Sequence, residues 1–189
     1  MTRWAPDAAL RLEAAALDLV EEQGYAATTV PQITARAGLT TRTFFRHFAD
    51  KRDVFFLRDR EFPRVVAEAL EDVPAGADAL DVVRQGLARA VSPLEGWREL
   101  ILRRRAVIRA EDQLRERELL KSAHLADAIA GGLVARSVPP GRARLIASLA
   151  VLVFDRSLDS WLDAPPGRPL AAAVDASWNE LEALLATRE

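Results

Sequence analysis

The stretch TTVPQITARAGLTTRTFFRHFADK, residues 28–51, constrains this chain more than any other. It reads as two short helices joined by a tight turn. Thr29 can cap the first, because its hydroxyl can accept an orphan backbone N–H, and Gln32 stands at the capping-box position. Pro31 falls in the first turn, where its missing N–H costs little. Val30, Ile33 and Ala37 share one helical face. Ala37-Gly38-Leu39 is the turn, with Gly38 free to take a positive φ. Thr40 caps the second helix, whose Phe44 and Phe48 point inward at i, i+4. Arg42 and Arg46 lie on the opposite face, flanked by Thr43 and Phe45. A helix anchored by two aromatics and presenting two guanidinium groups outward is what a major-groove reader requires.

The same residues resemble a known family. Gly24–Leu39 (GYAATTVPQITARAGL), Thr40–Phe48 (TTRTFFRHF) and the Ala49-Asp50-Lys51 entry to the next helix are similar to the tetracycline-repressor (TetR) family of bacterial transcription regulators. The resemblance is specific over roughly the first 65 residues and only architectural beyond them. Phe45 is a departure. Most members carry Tyr there, so a phosphate hydrogen bond from that hydroxyl is lost, although Phe45 can still touch a thymine methyl.

Net charge is −2 over 189 residues, which alone argues against a generic nucleic-acid binder. The distribution argues otherwise. Residues 28–60 hold Arg36, Arg42, Arg46, Lys51, Arg52, Arg58 and Arg60 against Asp50, Asp53 and Asp59, a balance of +4 on an acidic body. A small basic footprint suits selective duplex binding better than indiscriminate coating.

The rest of the chain reads as helices, about nine in all, with no period-two alternation and therefore no strands. The first covers about Asp7–Gln23 and is stopped by Gly24. The fourth starts near Lys51 and is kinked by Pro63 before Val65. Later ones are expected at about Asp78–Val91, Trp97–Ala110, Glu111–Ser137 (fraying at Gly131-Gly132), Arg142–Leu162 and Pro169–Thr187. The expected fold is all-α: a helix-turn-helix DNA-binding domain over 7–65, its motif at about 29–48, and a helical effector-binding and dimerisation domain over 66–189. No segment is apolar enough to span a membrane, and the first residues lack the apolar centre of a secretory signal, so a cytoplasmic location is expected. Zero cysteines exclude disulfides, thiol catalysis and Cys-ligated metal.

Two features near the C-terminal end suggest burial on more than one side. Leu145–Phe154 (LIASLAVLVF) is apolar nearly all round, and Leu170, Val174, Trp178, Leu181 and Leu185 form a near-heptad stripe. The residues fit either an internal core or a two-fold four-helix interface. The family resemblance favours the interface, with Leu149, Leu152, Val174, Trp178, Leu181 and Leu185 in it.

Competing chemistry is weak. Hydrolase and nucleotide-binding motifs are missing, and neither a catalytic residue, a cofactor nor a metal is expected. His47 lies in the aromatic cluster of the second motif helix, where a structural or phosphate-contacting role outweighs catalysis. His124 has only Asp127 one turn on. Arg103-Arg104-Arg105 spread over about 200° of a helix, near Glu99, Glu111 and Asp112, and read as a solvated, ion-paired face.

The resulting expectation is a ligand-responsive DNA-binding regulator, a repressor in most of the family, gripping a palindromic double-stranded operator as a homodimer. Thr28, Thr29, Thr40, Thr41, Arg42, Thr43, Phe45, Arg46, His47 and Lys51 are the candidate DNA contacts. Lys51 is singled out because a basic residue opposes the dipole at a helix start, which a phosphate would explain. The resemblance implies a pocket for a small apolar or aromatic effector, with Trp97, Leu100, Ile101, Arg104, His124, Phe154, Leu158 and Trp161 as candidate lining. Two other classes remain: an all-α enzyme carrying a helix-turn-helix, which would need an acid–base or nucleophile set, and a helical interaction protein whose motif no longer binds DNA.

Overall fold

The computed structural model describes residues 8–57 and 61–186. Among them nine α-helices appear: α1 (Ala8–Gln23), α2 (Val30–Arg36), α3 (Thr41–His47), α4 (Phe62–Glu71), α5 (Ala79–Val91), α6 (Arg98–Ala110), α7 (Asp112–Ala135), α8 (Pro140–Asp163) and α9 (Leu170–Ala186). Two 3-10 segments, Arg52–Phe56 and Ser92–Trp97, complete the order, and no strand occurs among the described residues. Asp7, Arg58, Asp59, Arg60 and Thr187, used in the sequence reading, lie outside them.

The local rules act where expected. Thr29 accepts from the Gln32 amide while the Gln32 side chain accepts from the Thr29 amide, the reciprocal capping box. Thr40 accepts from the Thr43 amide, and Asp78 from those of Leu80 and Asp81. Gly24 and Gly38 take φ of 83° and 64° after α1 and α2. Pro63 behaves differently from the expected kink. It sits in the first turn of α4, and the helix expected from Lys51 is instead a 3-10 turn followed by a separate helix from Phe62. Proline lacks the N–H that would continue an earlier helix, but in a first turn none is needed. Gly131-Gly132 do not interrupt α7.

The chain forms two compact units. The first contains, of the described residues, 8–57 together with Glu99–Leu119. Its core joins Leu12, Ala16 and Leu19 of α1 to Ile33, Phe44, Phe48, Val54 and Phe55, and then to Val107, Ile108 and Leu114. The second holds Glu61–Arg98 and residues 120–186. In it α5 packs on α4, α8 and α9, around Leu70, Val83, Leu87, Phe154, Val174 and Trp178.

Leu70 explains one close approach in the second unit. Its side chain is wedged between two glycines: a Cβ on Gly86 would lie 2.5 Å from Leu70 Cδ2, and one on Gly132 would lie 3.1 Å from Leu70 Cδ1. Rotation away from either meets the other. Gly86→Ala should therefore destabilise the fold by about 1–3 kcal/mol through overpacking, outweighing the roughly 1 kcal/mol helix-propensity gain. Urea unfolding would test this. Leu70→Ala combined with Gly86→Ala should cost less than the two singles summed, and strict additivity would remove the wedge argument.

Candidate nucleic-acid interface

α3 is set against α1 and α2 by its inner face. Phe44 is fully buried and packs on Phe48 with ring centroids 5.3 Å apart. Arg11 of α1 donates to the Ala37 carbonyl at the turn, fixing where α3 begins. With those aromatics locked, the 3.6-residue period places Thr41, Arg42, Phe45 and Arg46 in solvent. Phe45 keeps 59 % of its surface exposed, an unusual state for a large aromatic, and rests edge-on against Phe44.

Charge pairing separates these arginines from the other basic residues of the motif. Arg36 forms a two-pronged bridge to Glu22 at 2.6 and 2.8 Å. Arg52 is held by Asp50 at 2.7 Å. Arg42 is exposed and has no carboxylate partner among the described residues, and Arg46 has only the His47 ring, at 3.4 Å. The open cationic face is thus Arg42 and Arg46, flanked by the half-buried His47.

Several candidates have other duties. Thr28 is 1 % exposed and donates to the Gly24 carbonyl at 2.9 Å, so its side chain cannot contact DNA; burial beneath the loop after α1 corrects that expectation. Thr29 and Thr40 serve as caps, and the Thr40 and Thr43 hydroxyls meet at 3.0 Å. Lys51 donates to the carbonyls of Tyr25 and Thr28, each at 2.8 Å, with its ammonium 3.9 Å from the Tyr25 ring centroid. Burial pulls its pKa below the ordinary lysine value, partly countered by Glu111. Two of its three N–H groups therefore tie down the loop before α2, and one remains.

The sequence reading missed the ion pairs that Glu99–Leu119 makes to α1 and to Asp53. Arg103 bridges Asp18 at 2.6 Å and Glu21 at 2.6 and 2.8 Å. Arg104 lies 2.8 Å from Glu13, and Arg117 pairs with Asp53, which also accepts from the Ala49 amide. The only sequence signal was Glu13 itself, a charge on the apolar side of α1.

Comparison with known proteins agrees with this geometry. Residues 12–56 match the model of the bacterial regulatory proteins of the tetR family. An HTH-type transcriptional regulator of Mycobacterium tuberculosis is 30% identical over 153 residues, covering 77% of both chains. The chain belongs to the TetR family of bacterial transcriptional regulators. TcmR, an HTH-type regulator of Streptomyces glaucescens, is 42% identical over 76 residues, 40% of this chain, and the match spans only 33% of TcmR. The transcriptional regulator FadR from Bacillus subtilis, solved in complex with stearoyl-CoA, shares the fold with a TM-score of 0.61 at 19% identity, covering 91% of this chain and 96% of FadR.

As a TetR-family regulator the chain is a DNA-binding protein, and the residues expected to serve its other half can be placed. Leu100, Ile101 and Arg104 belong to the first unit. Leu100 packs on that unit's core, and Arg104 is buried against Glu13 rather than offered to an effector. His124 is exposed on α7, so it does not provide an inward polar group. In the second unit Phe154 stacks on Phe62 with centroids 5.0 Å apart. Leu158 is buried and Trp97 half-buried. Trp161 donates from Nε1 to the Arg168 carbonyl at 2.8 Å, with the Arg98 guanidinium 5.4 Å from its ring centroid. Cavities of about 390 and 320 Å³ lie among the described residues of this unit, and none of these eight residues lines them.

The proposed interface divides in two. Val174 and Trp178 are buried inside the single chain, at 0 % and 1 %, because their stripe faces the chain's own core, so they are corrected to core residues. Leu152 and Leu185 are exposed, and Leu149 and Leu181 are half-buried. Leu145 and Leu184, also exposed, extend the apolar surface and were not singled out from sequence.

Proposed function

We propose that this regulator binds a palindromic operator as a homodimer, reads bases with Arg42 and Phe45, and lets go when a small molecule binds, which makes it a repressor. The observation that supports the reading most is the exposed Arg42–Phe45–Arg46 face on a helix whose other side is fixed by Phe44 and Phe48. Arg42 suits bidentate contact to a guanine edge, Phe45 apolar contact to a thymine methyl, and Arg46 a phosphate. The remaining Lys51 N–H suits a phosphate as well. Thr29, Thr40, Thr41, Thr43 and His47 border the same surface.

In this reading residues 7–65 bind DNA, and 66–189 bind the effector and dimerise. Glu99–Leu119 then belongs by sequence to the second part while bracing α1 of the first. A small effector with an apolar or aromatic body is favoured by the aromatic content of α8, and FadR from Bacillus subtilis supplies a precedent of ligand binding on the same fold. The work is regulatory rather than catalytic and is placed in the cytoplasm, where operator DNA is.

The test is fluorescence anisotropy on operator and scrambled duplexes across a salt series. Arg42→Ala should lose about 1–3 kcal/mol per half-site and relax preference at one base pair. Lys51→Ala should weaken all sequences alike, and wild type should show a steep salt dependence. Equal wild-type affinity for operator and scrambled DNA would end the specific-reader interpretation.

A further inference from the structure

We infer a second small-molecule site in the cavity of about 390 Å³ bounded by the α4–α5 loop, the start of α5 and the end of α7, suited to a short-chain organic monocarboxylate. Its walls are Ala79, Val82, Leu133 and Val138, and its polar groups are Arg136 and Ser137. The volume is within the range of small-ligand pockets, which combine apolar walls with a few polar groups.

Arg136 gives the site its sign. Its Nη1 donates to the Leu70 carbonyl at 3.3 Å, and its Nη2 to those of Val73 and Pro74 at 2.9 and 2.7 Å. Three of five N–H groups are used, two remain, and no carboxylate among the described residues lies within ion-pair distance. A guanidinium held in place by neutral carbonyls keeps its charge for a ligand anion.

Ser137 gives the second contact. It ends α7 in a Schellman motif, with Ser137 N–H to the Val134 carbonyl at 2.9 Å and Val138 N–H to that of Leu133 at 3.1 Å. The motif puts Ser137 at φ 67°, and every other positive-φ residue among those described is glycine. Serine is strained there where glycine would not be. Ser137 lines the cavity, and its hydroxyl has no hydrogen-bond partner within the described chain. A carboxylate can take the free Arg136 N–H groups and this hydroxyl, with its alkyl chain on Val82, Leu133 and Val138. Asp78 already occupies the α5 amides at 2.7 and 3.2 Å, and its charge disfavours a second carboxylate on the ligand.

The experiment is an amide chemical-shift titration of the full chain with hexanoate, with hexanol and hexylamine as controls at constant ionic strength. Hexanoate should give saturable shifts centred on residues 75–82 and 133–138, and hexanol should bind at least about tenfold more weakly because charge-assisted bonds are the stronger ones. Ser137→Gly should raise the unfolding temperature by releasing strain, yet weaken hexanoate about fivefold by deleting one hydrogen bond. A purely structural Ser137 would move stability alone. Unchanged hexanoate affinity in Ser137→Gly, equal binding of hexanol, shifts centred elsewhere, or no saturable shift would each overturn the site.

Discussion

Arg104→Met should destabilise the protein by about 3–5 kcal/mol, a large share of a stability that is usually only about 5–15 kcal/mol. Glu13 is 0 % exposed, and its carboxylate lies 2.8 Å from the Arg104 guanidinium, itself almost wholly buried. The substitution keeps the side-chain length but takes away the cation facing a carboxylate that water does not reach. The converse follows from the same desolvation cost. Glu13→Leu together with Arg104→Met removes both charges from the interior and should recover most of the loss, because replacing a buried pair with apolar groups is often neutral or better. Arg103→Met is the control. Its partners Asp18 and Glu21 are about half exposed, so its bridges are screened and worth at most about 1 kcal/mol. Urea unfolding of the three variants decides the matter. A double variant as unstable as Arg104→Met would show that packing of the arginine, not charge, holds α6 against α1.

The contrast between Arg103 and Arg104 shows how far sequence carries. Helical phase separates adjacent residues by about 100°, so three consecutive arginines must point in different directions. Which direction is covered depends on a neighbour some 90 residues away, and α1 covers Arg104 while leaving Arg103 at the rim. The helix-turn-helix was legible because its signals are local: Thr29 with Gln32, Thr40 with Thr43, Gly38, and Phe44 with Phe48 each act within four residues. Thr28 was misplaced because its type fits a cap or a phosphate contact equally, and only the fold of the loop after Gly24 buries it. The stripe Val174–Trp178 was correctly periodic, but periodicity does not say whether a face meets its own chain or another copy.

Leu152→Arg should convert a dimer to monomers and abolish tight operator binding. Leu145, Leu149 and Leu152 follow one another at i, i+4, i+7 on α8, and Leu181, Leu184 and Leu185 project from the end of α9. Four of these six are more than 60 % exposed in the single chain, which is costly for so many leucines unless another surface covers them. Burying one such side chain gains about 1.5–3 kcal/mol. In an isologous interface each substitution occurs twice. Two desolvated guanidinium groups should weaken association on the order of a thousandfold or more. Operator binding should fall with it, because a monomer engages one half-site and loses the phosphate contacts of the other. Trp178→Ala separates interface from core. Trp178 is 1 % exposed within one chain, so its loss should cost about 3–5 kcal/mol of folding stability. Leu152→Arg should leave the fold intact, with an unchanged helical circular-dichroism spectrum. Sedimentation velocity gives the answer: a Leu152→Arg protein that still sediments as a dimer at micromolar concentration would move the interface away from this leucine surface.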